Sequence, residues 1–275
     1  MIISTNIGGL SNRIRCLISC IRYAKKYNIN FGINWKVLDS YDKNAHILNC
    51  SYNRLFKNDI EYTNIEHNYK IYKHHCLIIF EDDNIPVNFN TFNSNCVVRF
   101  TKSDRLNRNI DFMYNKIPEE IKTDYIECFK VLKPINELQQ KIDEYSKHFN
   151  NKTISVHIRS WNRNGEKGRR DFLFNIQKFE NEMKKYDNSY NFFLATDSKD
   201  VQDYFNNSSE LKDRILIYPR KTNLDTSRDF PEGVQEDLIE LYLLSKNKII
   251  IGSHFSTFTE VAWWLSGCPE NITIL

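Results

Sequence analysis

No run of about eighteen apolar residues occurs anywhere in the 275 residues, which argues against a membrane-spanning helix. Around the strand-like Met1-Ile2-Ile3 there is no basic segment followed by an apolar one, so a cytoplasmic location is expected. Like charges do not cluster: 38 Lys and Arg stand against 35 Asp and Glu, a net charge of +3, and a nucleic-acid partner is not expected. The seven cysteines, Cys16, Cys20, Cys50, Cys76, Cys96, Cys128 and Cys268, form an odd set without a C-x-x-C pair, which reads as reduced thiols. Neither G-x-G-x-x-G nor a P-loop sits at any strand-to-helix turn, so a nicotinamide-dependent enzyme is not indicated. Internal repeats and low-complexity linkers are also lacking.

What is there suits a globular chain: 41% hydrophobic, 13% aromatic and 27% charged residues supply cores and a solvated surface. The length favours two domains. The opening predicts a strand over 1–5, a turn at Gly8-Gly9 and a helix over 12–27 carrying Ile14, Leu17, Ile18, Ile21 and Ala24 at helical spacing. A strand is expected over 31–35, and the stretch from 39 to 118 reads only as α/β. Helices over 119–133 and 135–149 flank Pro134, and the polar Asn150-Asn151-Lys152 suggests a boundary there, dividing the chain into 1–150 and 151–275.

Beyond that boundary strands and helices alternate: strand 153–158, helix 173–186, strand 191–195, helix 199–205, strand 214–218, helix 236–246, strand 248–251 and helix 257–265. The fold class is α/β, with the second half a doubly wound parallel sheet whose ligands lie at the carboxyl ends of the strands.

Four segments sit where such ligands bind. Ile7-Gly8-Gly9-Leu10-Ser11-Asn12-Arg13 ends a strand and opens a helix, where free N–H groups favour an anion; a tight turn capped by Asn12 fits equally. In Val156-His157-Ile158-Arg159, His157 and Arg159 project to one side at a strand end, and a guanidinium there can hold a diphosphate. Phe192-Phe193-Leu194-Ala195-Thr196-Asp197 breaks into a carboxylate that precedes a helix and suits either a cap or a nucleotide contact. Ile249-Ile250-Ile251-Gly252-Ser253-His254-Phe255-Ser256-Thr257-Phe258 runs from a buried strand through hydroxyls into a helix start, a cradle for phosphate. Asp237 and Glu240, about a turn apart on the preceding helix, can accept hydrogen bonds from a guanine edge or be solvated.

In this order the segments resemble the fucosyltransferase superfamily that includes nodulation-protein-Z-like α1,6-, α1,2- and protein O-fucosyltransferases. Gly9-Leu10-Ser11-Asn12-Arg13 is similar to its G-x-G-N/D-R/Q loop near the donor sugar and diphosphate, and His157-Ile158-Arg159 to its H-x-R element. Thr196-Asp197 resembles its T-D, Glu240 before Ser245 its base-binding acid, and Phe255-Ser256-Thr257-Phe258 its phosphate loop. The resemblance implies two facing Rossmann-like domains of the GT-B type and an inverting, metal-independent transfer of L-fucose from GDP-fucose to a glycan hydroxyl. No cofactor beyond the donor is implied. Gly9, Asn12, Arg13, His157, Arg159, Asp197, Glu240, Ser256, Thr257 and Phe258 would bind the donor. Arg159 would also stabilise the leaving group, and Glu166, at the spacing of the α1,6-type carboxylate, would be the base, with Asp171 as substitute. Many relatives carry a second Arg and then an Asp after H-x-R; Ser160, Trp161 and Asn162 stand here instead.

Two rival readings remain. Glu81-Asp82-Asp83 after a strand-like run suits Mn²⁺ or Mg²⁺ in a metal-dependent glycosyltransferase, or a solvated turn before Pro86. A glycan-binding relic of the same scaffold would need no nucleotide. His74-His75-Cys76 lacks the second ligand cluster that a zinc site requires.

Overall fold

The structure, a computed structural model, describes residues 2–5, 8–28, 31–35, 37, 48–57, 63–64, 117, 119–161 and 167–275. The chain divides into two units, Met1–Asn136 with Arg228–Val234, and Glu137–Ser227 with Gln235–Leu275.

In the first unit, β1 (Ile2–Thr5), β2 (Phe31–Asn34) and β3 (Thr63–Asn64) form a parallel sheet in that order, with α1 (Leu10–Tyr27) crossing between β1 and β2. The helical spacing read from the sequence is the buried face: Ile14, Leu17, Ile18, Ile21 and Ala24 are all within the core. Arg13, Arg15 and Arg22 are buried as well, so α1 is covered on more than one side. Arg22 pairs with Asp124 of α2 (Glu119–Phe129) and lies 5.0 Å from the centroid of the Tyr125 ring. A guanidinium can be buried this way because one face stacks while its edge meets a carboxylate. The helix begins two residues before the expected Asn12, with Gly9 in the cap position making no side-chain cap bond, and it ends on Asn28 in the left-handed conformation.

In the second unit, β4 (Thr153–Ile158), β5 (Asn191–Thr196), β6 (Ile215–Leu216), β7 (Ile249–Gly252) and β8 (Asn271–Ile274) form a wholly parallel sheet in the order β6-β5-β4-β7-β8. β8 was not anticipated; it is short and lies at the edge of the sheet, and the ladder continues past it as Leu275 N–H donates to Gly252 O (2.9 Å). Ile154, Val156 and Ile158 of β4 and Phe192 and Leu194 of β5 pack with Phe179 and Met183 of α5 (Ile176–Met183) and Val201 and Phe205 of α6 (Lys199–Asn206). Ser155 and His157 point to the opposite face, where Ser155 Oγ donates to Leu244 O of α7 (Pro231–Leu244) at 2.7 Å.

The division differs from the expected boundary at 150. The helix α3 (Asn136–Ser146) belongs almost entirely to the second unit, because Tyr145 packs on Phe193 (5.8 Å between centroids) and on Tyr218 (5.4 Å). The expected helix over 173–186 is the shorter α5, and a separate helix, α4 (Lys167–Leu173), precedes it and ends before Asn175, whose side chain caps α5 by accepting from Gln177 N–H (3.0 Å) and Lys178 N–H (3.4 Å). The last helix, α8 (Thr257–Leu265), has the bounds read from the sequence.

Candidate functional site

Counted from β4, the strand order of the second unit is 3-2-1-4-5, so the winding reverses between β4 and β7. The crevice outside the carboxyl ends of those two strands is where ligands bind in open parallel sheets. Two of the four segments singled out in the sequence end there. His157 pairs in register with Gly252, and Arg159 N–H donates to Ser253 Oγ at 2.8 Å, while Ser253 Oγ donates to His157 O at 3.2 Å.

The helix α8 starts at the same place. Its cap position is Ser256, which makes no side-chain cap bond, so the first-turn N–H groups and the positive helix end open toward the strand ends. Close approach of α8 to β7 depends on Gly252, since a Cβ there would overlap Thr259 Cγ2 and lie 2.9 Å from Thr259 Oγ1. Thr259 Oγ1 is 2.8 Å from His157 Nδ1, Ser256 Oγ is 3.5 Å from the same nitrogen, and the Phe258 ring stacks on the imidazole at 4.9 Å. Burial drives the His157 pKa down to about 3, so the imidazole is neutral and serves as a polar packing piece under the crevice.

Arg159 is set by its neighbours. Its guanidinium pairs with Asp197 Oδ2 and sits 5.0 Å from the centroid of the Trp161 ring, and Asp197 Oδ1 accepts Ser160 N–H at 2.7 Å. Asp197 therefore holds Arg159 in place and caps no helix; Ser198 takes the cap position of α6. Burial raises the Asp197 carboxyl, but Arg159 and the Ser160 bond outweigh it and leave it below the usual carboxylate range.

Comparison with known proteins gives one kind of match. No family model matches the chain, and no curated protein sequence does. Solved structures match over nearly its whole length. The fucosyltransferase NodZ from Bradyrhizobium is 19% identical over 95% of this chain and 91% of that one, with a TM-score of 0.53. POFUT1 in complex with GDP-fucose is 9% identical over 100% and 96%, at 0.54. A point mutant of Arabidopsis thaliana FUT1 in complex with GDP is 13% identical over 96% and 68%, at 0.55. The chain has the fold of these fucosyltransferases.

Within this fucosyltransferase fold, Glu240 occupies a buried position on α7, 3% exposed. Its Oε2 accepts from Arg220 NH1 at 2.7 Å, and its Oε1 has no partner among the described residues. Asp237 is engaged by Arg220 at 2.9 Å and by the Ser227 hydroxyl at 3.3 Å. Arg220 escaped the sequence reading; the spacing of Glu236, Asp237 and Glu240 along one helix was its only signal.

In the first unit, Gly9 lies under a guanidinium: a Cβ on it would meet Arg228 Cζ at 3.2 Å, and Arg228 comes from the short stretch that returns to this unit. Arg13 is buried, donates from Nε to Gly8 O at 2.9 Å and faces the Trp35 ring at 5.4 Å, and burial lowers its pKa to about 10. Asn12 sits half-buried in the first turn of α1. Asp171 is exposed on α4. Glu166, Glu81-Asp82-Asp83 and His74-His75-Cys76 lie outside the described residues. Among the described residues no group of three or more His, Cys, Asp or Glu is placed to hold a metal, no helix is long and apolar enough to cross a membrane, and the cysteines are unbridged.

Proposed function

We propose that this chain is a glycosyltransferase that moves L-fucose from GDP-fucose onto a hydroxyl of a glycan acceptor, with inversion and without a metal ion. The observation that carries the reading is Arg159 at the switch point of the sheet, fixed by Asp197 and adjoining the uncapped start of α8, in a fold whose solved examples include complexes with GDP and GDP-fucose. A diphosphate needs donors and positive charge converging on one spot, and the strand end, guanidinium and helix end provide them.

In the reaction the acceptor oxygen attacks the anomeric carbon on the face opposite the diphosphate. The bond from that carbon to the phosphate oxygen breaks and its electron pair leaves with GDP. Arg159 and the α8 terminus bind the charge that grows on the departing oxygens, and Glu166 takes the acceptor proton. Neutral His157 holds the floor of the crevice without adding a charge that would compete with Arg159. Glu240 accepts hydrogen bonds from the base through Oε1.

The test is calorimetry and thermal shift with GDP, GDP-fucose, GDP-mannose, UDP and dTDP in EDTA. Selective stabilisation by GDP and GDP-fucose is expected, followed by fucose transfer in EDTA once an acceptor is supplied, and by its loss in Glu166→Gln. Binding of UDP that requires Mn²⁺ would instead assign the chemistry to Glu81-Asp82-Asp83.

A further inference from the structure

The loop that leaves β6 at Tyr218-Pro219-Arg220 turns a guanidinium into three carboxylates of α7. Arg220, its side chain 5% exposed, lies 3.6 Å from Glu236 Oε2, 2.9 Å from Asp237 Oδ1 and 2.7 Å from Glu240 Oε2. Two buried acids, Glu236 and Glu240, and the part-buried Asp237 outnumber the one base they surround, an arrangement that folding alone would not favour.

The six carboxylate oxygens are not equivalent. Glu236 Oε1 accepts Lys221 N–H (2.7 Å), and Glu236 Oε2 accepts Thr222 N–H (3.1 Å) and the Thr222 hydroxyl, which pins the loop. Asp237 accepts from Arg220 on one oxygen and from Ser227 Oγ on the other. Of the six carboxylate oxygens, Glu240 Oε1 alone is buried without a hydrogen-bond partner among the described residues. An orphaned buried acceptor costs about 1–3 kcal/mol, so its persistence points to a donor that arrives with a ligand.

We infer that Arg220 is the positioning residue for base recognition: it clamps Oε2 of Glu240 and leaves Oε1 to accept from the N–H edge of a base. This rests on the reading of Glu240 as the acceptor for the nucleobase. Guanine offers an N1–H and an exocyclic amine, which an ionised carboxylate accepts and a protonated one meets with a donor of its own.

The groups facing Glu240 are Asp237 and Glu236 on its own helix, Arg220 and Tyr218 after β6, and Tyr145 on α3. Burial pushes the Glu240 pKa up to about 7; Arg220 pulls it down and the two acids push it further up. Tyr145 is raised to about 12 by burial first and then by Glu240, and Tyr218 is raised by burial and then by Glu236 and Glu240, so both hydroxyls are neutral near pH 7. Among these groups Arg220 is the one that opposes burial and favours the ionised form of Glu240.

The test compares GDP with inosine diphosphate, which lacks the exocyclic amine, by calorimetry in EDTA from pH 6 to 9. Wild-type protein should prefer GDP by about tenfold, the worth of one such hydrogen bond at about 1.4 kcal/mol, with GDP affinity rising as Glu240 ionises. Arg220→Met should collapse the preference to near unity, match Glu240→Gln, and add nothing further to the ratio in the Glu240→Gln background. Arg220→Lys, which keeps the charge and serves if the Met variant fails to fold, should retain a preference and shift the pH profile. A wild-type ratio and profile in Arg220→Met, or in Arg220→Lys if that is the variant that folds, would overturn the inference while leaving the donor reading intact. Wild-type protein that binds neither nucleotide at any pH overturns both.

Discussion

The guanidinium of Arg159 is paired with the carboxylate of Asp197, and that same carboxylate takes the N–H of Ser160 at 2.7 Å. One acid at the end of β5 thereby fixes both the side chain at the end of β4 and the backbone that follows it. Arg159→Ala is expected to lower kcat by ~10²–10³, the usual effect of removing one donor from developing charge. Asp197→Asn keeps an acceptor for Ser160 and loses the charge that orients Arg159, so a smaller loss on the order of 10–100-fold is expected, in line with misplacement of a positioned group. Steady-state kinetics on the two variants check this, and equal wild-type rates would remove the pair from the mechanism.

Gly252 is where the sheet lets α8 come close. Gly252→Ala should destabilise by about 1–3 kcal/mol, because the new methyl overlaps Thr259 Cγ2. Thr259→Ser removes that methyl and keeps the hydroxyl beside His157, so the double variant should recover most of the stability in urea melts. No recovery would mean that the strain lies in the backbone of the loop.

Phe255 has φ 56° and is 44% exposed, with its ring edge-on to His254 at 4.4 Å between centroids. A bulky residue in the left-handed region costs about 1–2 kcal/mol, and little burial offsets it here. Phe255→Gly should therefore melt at the same or a higher temperature while fucose transfer falls. A lower melting temperature with unchanged transfer would assign the ring to folding.

The second half was legible because each strand is short, apolar and followed by a turn signal. β4 and α8 came out at their observed bounds, and His157, Arg159, Gly252 and Ser253 converge as strand ends must in a doubly wound sheet. What escaped depends on long-range pairing. β8 exists because Asn271–Ile274 finds an open edge beside β7, and α3 belongs with the second unit because of Tyr145, neither of which has a local signature. The carboxylate of Asp197 read from its neighbours in sequence as a cap or a nucleotide contact, whereas its partner Arg159 lies 38 positions away. Arg220 carries no motif, and only the three acids it meets in space give it meaning.

The two buried groups with opposite shifts make a prediction about stability against pH. His157 has its pKa lowered from 6.5 to about 3, so the stability it contributes is complete above 6.5 and is lost as pH falls through 3. Glu240 is raised from 4.5 to about 7, so its contribution is complete below 4.5 and is lost as pH rises through 7. Between 4.5 and 6.5 the unfolded chain binds a proton at His157 that the fold excludes, and the fold keeps one at Glu240 that the unfolded chain releases. The slopes cancel, each at most ~1.4 kcal/mol per pH unit. Wild-type protein should show a nearly flat urea-unfolding free energy across that window. Glu240→Gln should unmask the His157 slope, losing stability steadily as pH falls from 6.5 to 4.5, and parallel profiles for the two proteins would refute the opposed titrations.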